Sequence, residues 1–139
     1  MKALDEISSD GVVRSDTGVA VLVVDDESAV RRFAIRTLER EGYSAFEARD
    51  GAEALELVQK GTTTFHVVVS DIVMPRLNGV ELMRALALSH PDLPVLLMSG
   101  YATDSLTDMG IAAPCAILPK PFLPDRLLEE VRRCLSSRK

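Results

Sequence analysis

Tryptophan is absent from this chain of 139 residues, and only four phenylalanines and two tyrosines accompany that absence, so any core must be built from aliphatic side chains. Cysteine is scarce as well. Cys115 and Cys134 have no second pair and no adjacent histidine, which excludes a zinc-type ligand set; they are read as free, mostly buried thiols. The longest apolar runs, such as Val19–Val24 and Val95–Met98, fall far short of the roughly 18 residues of a membrane-spanning helix. The amino terminus, Met1-Lys2-Ala3-Leu4-Asp5-Glu6, lacks the charged-then-apolar order of a secretory signal, so the cytoplasm is the expected location. Positive charge is in deficit too: 16 Lys and Arg against 21 Asp and Glu give a net charge of −5. Such a field repels nucleic-acid phosphates and anionic membranes, and direct binding to either is not expected.

What is present is a packed domain. Hydrophobic residues make up 47 % and charged residues 27 % of the chain, too apolar for disorder and long enough for one core. Residues 1–18, with Ser8, Ser9, Asp10, Gly11, Ser15, Asp16 and Gly18, have the composition of a leader or linker, and residues 19–139 form the domain. From Val19 onward, short β-branched runs alternate with amphipathic stretches, which implies right-handed βαβ crossovers and a parallel sheet covered on both faces. Five strands are predicted, at Ala20–Val24, Tyr43–Ala48, Phe65–Val69, Pro94–Met98 and Cys115–Leu118.

The first helix is expected from Ser28 to Glu41, with Val30, Phe33, Ala34, Thr37 and Leu38 inward and Gly42 as its stop. The second starts at the cap Asp50, buries Ala54, Leu55 and Val58, and ends before Gly61. The third starts at Asn78-Gly79 and buries Val80, Met83 and Ala87 flanked by Leu82 and Leu86. Residues 103–109 allow at most a short fourth helix before Gly110 and Pro114. The fifth starts near Pro124, with Leu127, Leu128, Val131 and Leu135 inward. The outcome is an α/β fold, a three-layer α/β/α sandwich.

In open α/β sheets ligands sit at the carboxyl ends of the strands. There the first strand ends in Asp25-Asp26-Glu27, the third in Ser70-Asp71, the fourth in Ser99-Gly100 and the fifth in Pro119-Lys120-Pro121. Each feature has a plain alternative. The acidic pair suits a helix cap, Asp71 a turn, Lys120 a solvated surface and Ser99 a loop backbone partner. Together they suggest more. Three carboxylates within about 4 to 5 Å repel by roughly 3 to 4 kcal/mol per pair at an effective dielectric near 20, and a hard divalent cation offsets that. Magnesium, which takes one or two carboxylates plus phosphate oxygens, suits a site shared with a phosphoryl group. One acid can then act as nucleophile on phosphorus to give an acyl phosphate, and Asp71, alone at its strand end, is best placed.

Val21-Leu22-Val23-Val24-Asp25-Asp26-Glu27, Asp71-Ile72-Val73-Met74-Pro75, Ser99-Gly100 and Lys120-Pro121-Phe122 jointly resemble the receiver domain of bacterial two-component response regulators, over about residues 19 to 136. The resemblance implies a flavodoxin-like five-stranded parallel sheet in the order 2-1-3-4-5. It also implies that Asp71 accepts a phosphoryl group from a histidine kinase or histidine phosphotransfer protein. Asp26, Asp71 and the main-chain carbonyl of Val73 would bind Mg2+ directly, with Asp25 acting mainly through a bound water. Lys120 would pair with Asp71 at rest and with the phosphoryl oxygens afterwards, and Ser99 would swing its hydroxyl onto one of them, biasing a two-state loop and helix region. Pro121 resembles the family proline that follows the lysine through a cis peptide bond.

Three positions depart from the common pattern. Ile117 stands where many relatives carry Phe or Tyr as part of the switch, and Tyr101 is a candidate to replace it. Val73 has no side chain that could hydrogen-bond an attacking water. The fourth helix is short. A homodimer through the fourth helix, fifth strand and fifth helix is a family expectation. The stretch Met98-Ser99-Gly100-Tyr101-Ala102 is similar to receivers attached to hybrid sensor histidine kinases, so a C-terminal receiver of such a kinase stands beside a free-standing regulator.

Other functions compete. A phosphatase of the haloacid dehalogenase type resembles Asp-x-Asp, and position 73 is Val. A flavodoxin-like flavin carrier needs an anion cradle after the first strand, where Asp25-Asp26-Glu27 stands instead. A receiver-shaped module that is never phosphorylated is the third. His66 and His90 lack the exposed helical setting of a phosphodonor and are read as surface or satisfied core residues. The expectation is therefore a signalling phosphoacceptor that turns over no external substrate.

Overall fold

Residues 17–100 and 114–136 are described by the structure, a computed structural model. Five parallel strands, β1 (Ala20–Val24), β2 (Ser44–Ala48), β3 (Val67–Asp71), β4 (Val95–Ser99) and β5 (Ala116–Pro119), lie in the order β2-β1-β3-β4-β5. The helices are α1 (Ser28–Arg40), α2 (Gly51–Lys60), α3 (Gly79–Ser89) and α4 (Pro124–Ser136), the last being the helix predicted from Pro124. Every residue of β1, β3 and β4 is buried, as strands in the middle of a parallel sheet covered on both faces should be, including the polar Ser70, Asp71 and Ser99 at their carboxyl ends.

Alternation divides the core in two. Leu22, Val24, Val68 and Leu97 face α2 and α3, meeting Ala54, Val58, Val80, Met83 and Leu86. Val21, Val23, Val69, Leu96, Met98 and Leu118 face α1 and α4, meeting Ala34, Leu38, Leu127 and Val131. Local chemistry sets the helix ends. Asp50 caps α2 by accepting from the Glu53 amide at 2.9 Å, and Gly61, at φ +74°, ends it in a left-handed turn. Asn78 and Glu81 form a reciprocal capping box at the start of α3.

Several sequence expectations need correction. β3 was expected over Phe65–Val69 but runs from Val67 through Asp71. Ser70 and Asp71 are poor strand formers by propensity, yet Ser70 pairs with Val24 and Asp71 with Met98, and that pairing outweighs propensity. Phe65 instead packs edge-on against Phe46. Ala87, expected in the buried stripe of α3, is exposed, because that stripe follows Val80, Met83 and Leu86. Phe33 is 40 % exposed and rests on Phe122 rather than in the core.

The two cysteines are not free. Cys115 and Cys134 form a disulfide with Cα atoms 5.3 Å apart. The chain turns after β5 and α4 runs back over the sheet, so its last turn lies beside the residue preceding β5. The short helix expected over 103–109, Tyr101 and most of the leader at 1–18 lie outside the described residues.

Candidate functional site

Period-two alternation aims the charged residues before any contact between them is considered. Val21 and Val23 face α1 and α4, and so do Val67 and Val69, and Ala116 and Leu118. Two residues on from each pair stand Asp25, Asp71 and Lys120, which therefore project to the same side of the sheet at its carboxyl edge. The register places Val23 beside Val69 and Val24 beside Ser70, so Asp25 follows next to Asp71. Asp25, Asp26 and Asp71 bring carboxylate oxygens within 4.8 Å of one another.

Lys120 spans the two buried acids. Its Nζ donates to Asp25 Oδ2 at 3.0 Å, lies 3.2 Å from Asp71 Oδ1, and is 3.8 Å from Glu27 Oε1. Asp25 is fully buried and engaged at both oxygens, since Oδ1 accepts from the Glu27 amide at 2.9 Å. Asp71 is held along one side, with Oδ1 accepting from the Ile72 amide at 2.9 Å, and among the described residues Oδ2 receives no hydrogen bond. Asp26 is exposed.

These contacts set the electrostatics. Burial, reinforced by the charge of Asp25, raises the Asp71 pKa above the ordinary carboxylate range, although Lys120 and the Ile72 amide pull the other way. Burial also works against the Lys120 ammonium, but its hydrogen bond to Asp25 and the charges of Asp25 and Asp71 outweigh it and raise the pKa. The carboxylates outnumber the single ammonium, and a divalent cation would offset the excess negative charge. The donors are all oxygen, and Asp26 and the open side of Asp71 are the groups free to ligate. The residues thus fit magnesium, a hard cation that favours few carboxylates.

The other expected residues are near. Ser99 ends β4, is buried, and its carbonyl accepts from the Lys120 amide at 2.8 Å. Val73, two residues past Asp71, is 57 % exposed. The Lys120–Pro121 peptide is cis. Ile117 is half-buried in β5, opposite in orientation to Ala116 and Leu118. His66 and His90 stay out of the site: His66 Nδ1 accepts from the Ala20 amide at 3.0 Å, and His90 sits at the end of α3.

The loop after β3 is held from below. Gly79 packs against the Asp71 carbonyl so closely that a Cβ would collide with it, and its amide donates to Ile72 O at 2.8 Å. Arg76, at φ +70°, reaches across to α2 and donates from Nε and Nη2 to Asp50, each at 3.0 Å. Sequence reasoning gave no role to Arg76, to Glu27, or to Arg31, a buried arginine on α1. Arg31 stands one helical turn beyond the acids on the inward face, and that position was the available signal.

The family model for the response regulator receiver domain matches residues 21–132. The chain is 40 % identical over 116 residues to the sensor kinase CckA of Brucella abortus, a match covering 83 % of this chain and 12 % of that protein. It is 42 % identical over 118 residues to the response regulator MprA of a Mycobacterium species, covering 84 % of this chain and 50 % of that protein. The chain thus spans about half of the one relative and a small part of the other. Among solved structures, the chemotaxis protein CheY4 of Vibrio cholerae aligns with a TM-score of 0.77 at 33 % identity, covering 84 % of this chain and 98 % of that one. The receiver domain of the hybrid histidine kinase CckA aligns with a TM-score of 0.69 at 35 % identity, covering 84 % and 98 %.

Proposed function

Because this chain belongs to the response regulator receiver family, we propose that it is the phosphoacceptor module of a two-component phosphorelay, with Asp71 receiving the phosphoryl group. One observation carries the reading: three carboxylates converge within 4.8 Å at the edge of the sheet, with Lys120 bridging the two that are buried.

An Asp71 oxygen forms the new O–P bond as the P–N bond of a phosphohistidine breaks, and the departing imidazole nitrogen takes a proton. Lys120 follows the charge from Asp71 onto the phosphoryl oxygens, which is electrostatic stabilisation by a group already in place. Ser99 turns its hydroxyl onto one of those oxygens, and Tyr101 takes the switch role of the aromatic that Ile117 replaces. Asp26, Asp71 and the Val73 carbonyl would hold Mg2+, with Asp25, whose oxygens are both engaged, supporting the site from behind. When bound, the ion neutralises charge on the transferring group.

The donor is a histidine kinase or histidine phosphotransfer protein, residues 19–139 form the unit that it meets, and the cytoplasm is where they meet. A homodimer through the face that includes β5 and α4 is tested by gel filtration before and after phosphorylation. The match to a sensor kinase supports the alternative that this is the receiver of a hybrid sensor histidine kinase. A phosphatase reading is weaker, since exposed Val73 occupies the position of that family's second acid; no turnover of p-nitrophenyl phosphate is expected.

Incubation with acetyl phosphate, with and without MgCl2, followed by intact mass measurement tests the proposal. One added phosphoryl group is expected, requiring the metal and missing from Asp71→Asn. An unmodified wild-type chain in the presence of both reagents overturns it.

A further inference from the structure

Arg31 is the one arginine of α1 turned inward; its side chain is 11 % exposed, whereas Arg32, Arg36 and Arg40 face outward. A buried guanidinium needs partners, and these are specific. Nη1 donates to the main-chain carbonyl of Asp25 at 2.7 Å, and Nε donates to Glu47 Oε1 on β2 at 2.6 Å. The first contact fixes the plane of the peptide that precedes Asp26. The peptide after Asp26 is fixed from the other side, because its amide, that of Glu27, donates to Asp25 Oδ1 at 2.9 Å. Asp26 itself is exposed and has no described hydrogen bond of its own. Its carboxylate therefore takes its direction from a backbone clamped on both flanks.

We propose that Arg31 is a positioning residue for the metal site, locking the Asp25–Asp26 peptide against β2 so that the Asp26 carboxylate is presented to the cation in a fixed direction. The inference rests on the reading of Asp26 as a magnesium ligand. Arg31 touches neither the ion nor the phosphoryl group in this scheme; it acts through the backbone of its neighbours. Lysine cannot replace it, since one ammonium does not supply two donors in the fixed fork that reaches both Asp25 O and Glu47. Partners of this outer kind change metal affinity by about 10- to 100-fold when removed.

The test is a titration of the 15N-labelled full chain with MgCl2, followed by the amide signals of Asp26 and Glu27. In the wild type these signals are expected to shift and saturate. If they do not move at all, the metal reading itself fails. Arg31→Met keeps the apolar stem and removes every donor; it is expected to keep a dispersed, folded spectrum and to saturate at about tenfold higher Mg2+. Acetyl phosphate labelling of this variant should recover as Mg2+ is raised, which a loss of general stability would not produce. An unchanged saturation point in folded Arg31→Met overturns the inference. Should Arg31→Met fail to fold, Glu47→Ala decides. That substitution removes an exposed acid and releases the far end of the guanidinium, so a severalfold weaker Mg2+ response supports the role and an unchanged one overturns it.

Discussion

Asp25 and Cys134 are both fully buried, at opposite ends of the same sheet, and their surroundings could hardly differ more. Asp25 lies among like charges, with Asp26 and Asp71 within 4.8 Å and a single lysine opposing them. Cys134 lies among apolar side chains and is covalently tied to Cys115 beside the amino end of β5. The same end carries the Phe46–Phe65 ring contact and the His66 bond to the Ala20 amide. Between the two ends, β1, β3 and β4 are buried throughout. A charge cluster only partly compensated by Lys120 persists at one end because the rest of each strand holds it there, and the excess negative charge suits a divalent cation.

The contrast is broken most severely by removing Lys120. Lys120→Met leaves two buried carboxylates facing each other, with a loss of about 3 kcal/mol at neutral pH and a fall in the rate of labelling by acetyl phosphate of about 100-fold or more. Urea unfolding and timed intact mass measurements check both. The stability deficit should shrink as pH falls, since Asp71 then takes up a proton. Equal stability at pH 7 would mean that the lysine does not balance the acids.

Cutting the other end should separate stability from chemistry. A bridge closing a loop of 19 residues contributes about 3 kcal/mol in the chain-entropy account. Cys115→Ala should therefore unfold earlier than the wild type in oxidising buffer by roughly that amount, with the difference mostly lost in dithiothreitol, as it would be in a reducing compartment. The rate of phosphorylation should stay the same in both buffers. A changed rate would show that the two ends are coupled.

The same contrast marks what sequence could reveal. β1 and β4 were legible because apolar residues run unbroken from Ala20 to Val24 and from Val95 to Met98, and the capped starts of α2 and α3 because Asp50 and Asn78 sit where a cap belongs. The strand order came only with the resemblance. The convergence of Asp25, Asp71, Ser99 and Lys120 followed from their positions at strand ends. Hidden were features that depend on tertiary partners. Ser70 and Asp71 enter a strand only through their neighbours in the ladder. Arg31 is buried only because Asp25 and Glu47, 6 and 16 residues away, accept its hydrogen bonds. The cysteines meet only because α4 folds back over the strand that precedes it.

A gentler change sharpens the claim that the acid end is held against its own repulsion. Burial and Asp25 raise the Asp71 pKa, so above the ordinary carboxylate range the folded chain keeps a proton that the unfolded chain has released. Stability contributed by this group therefore falls as pH rises through that interval. Without magnesium, Asp71→Asn should melt a few degrees above the wild type at pH 7, and the two should converge below the ordinary carboxylate range. A variant that melts lower at pH 7 would place the cost elsewhere.

The smallest effect concerns the loop that leads from Asp71 to α3. Arg76 holds φ at +70°, a conformation that side chains with a Cβ disfavour, yet it contributes two hydrogen bonds to Asp50, whose pKa the contact lowers. Arg76→Ala loses the contact and keeps the backbone strain, whereas Arg76→Gly loses the contact and the strain together. The glycine variant should therefore melt above the alanine variant by a few degrees. The advantage of the wild type over alanine should fade at acid pH: the lowered Asp50 pKa makes this contribution present above the ordinary carboxylate range and lost as pH falls through the folded value. If glycine and alanine melt together, the left-handed turn carries no strain, and the side-chain contact alone sets the shape of the loop beneath Asp71.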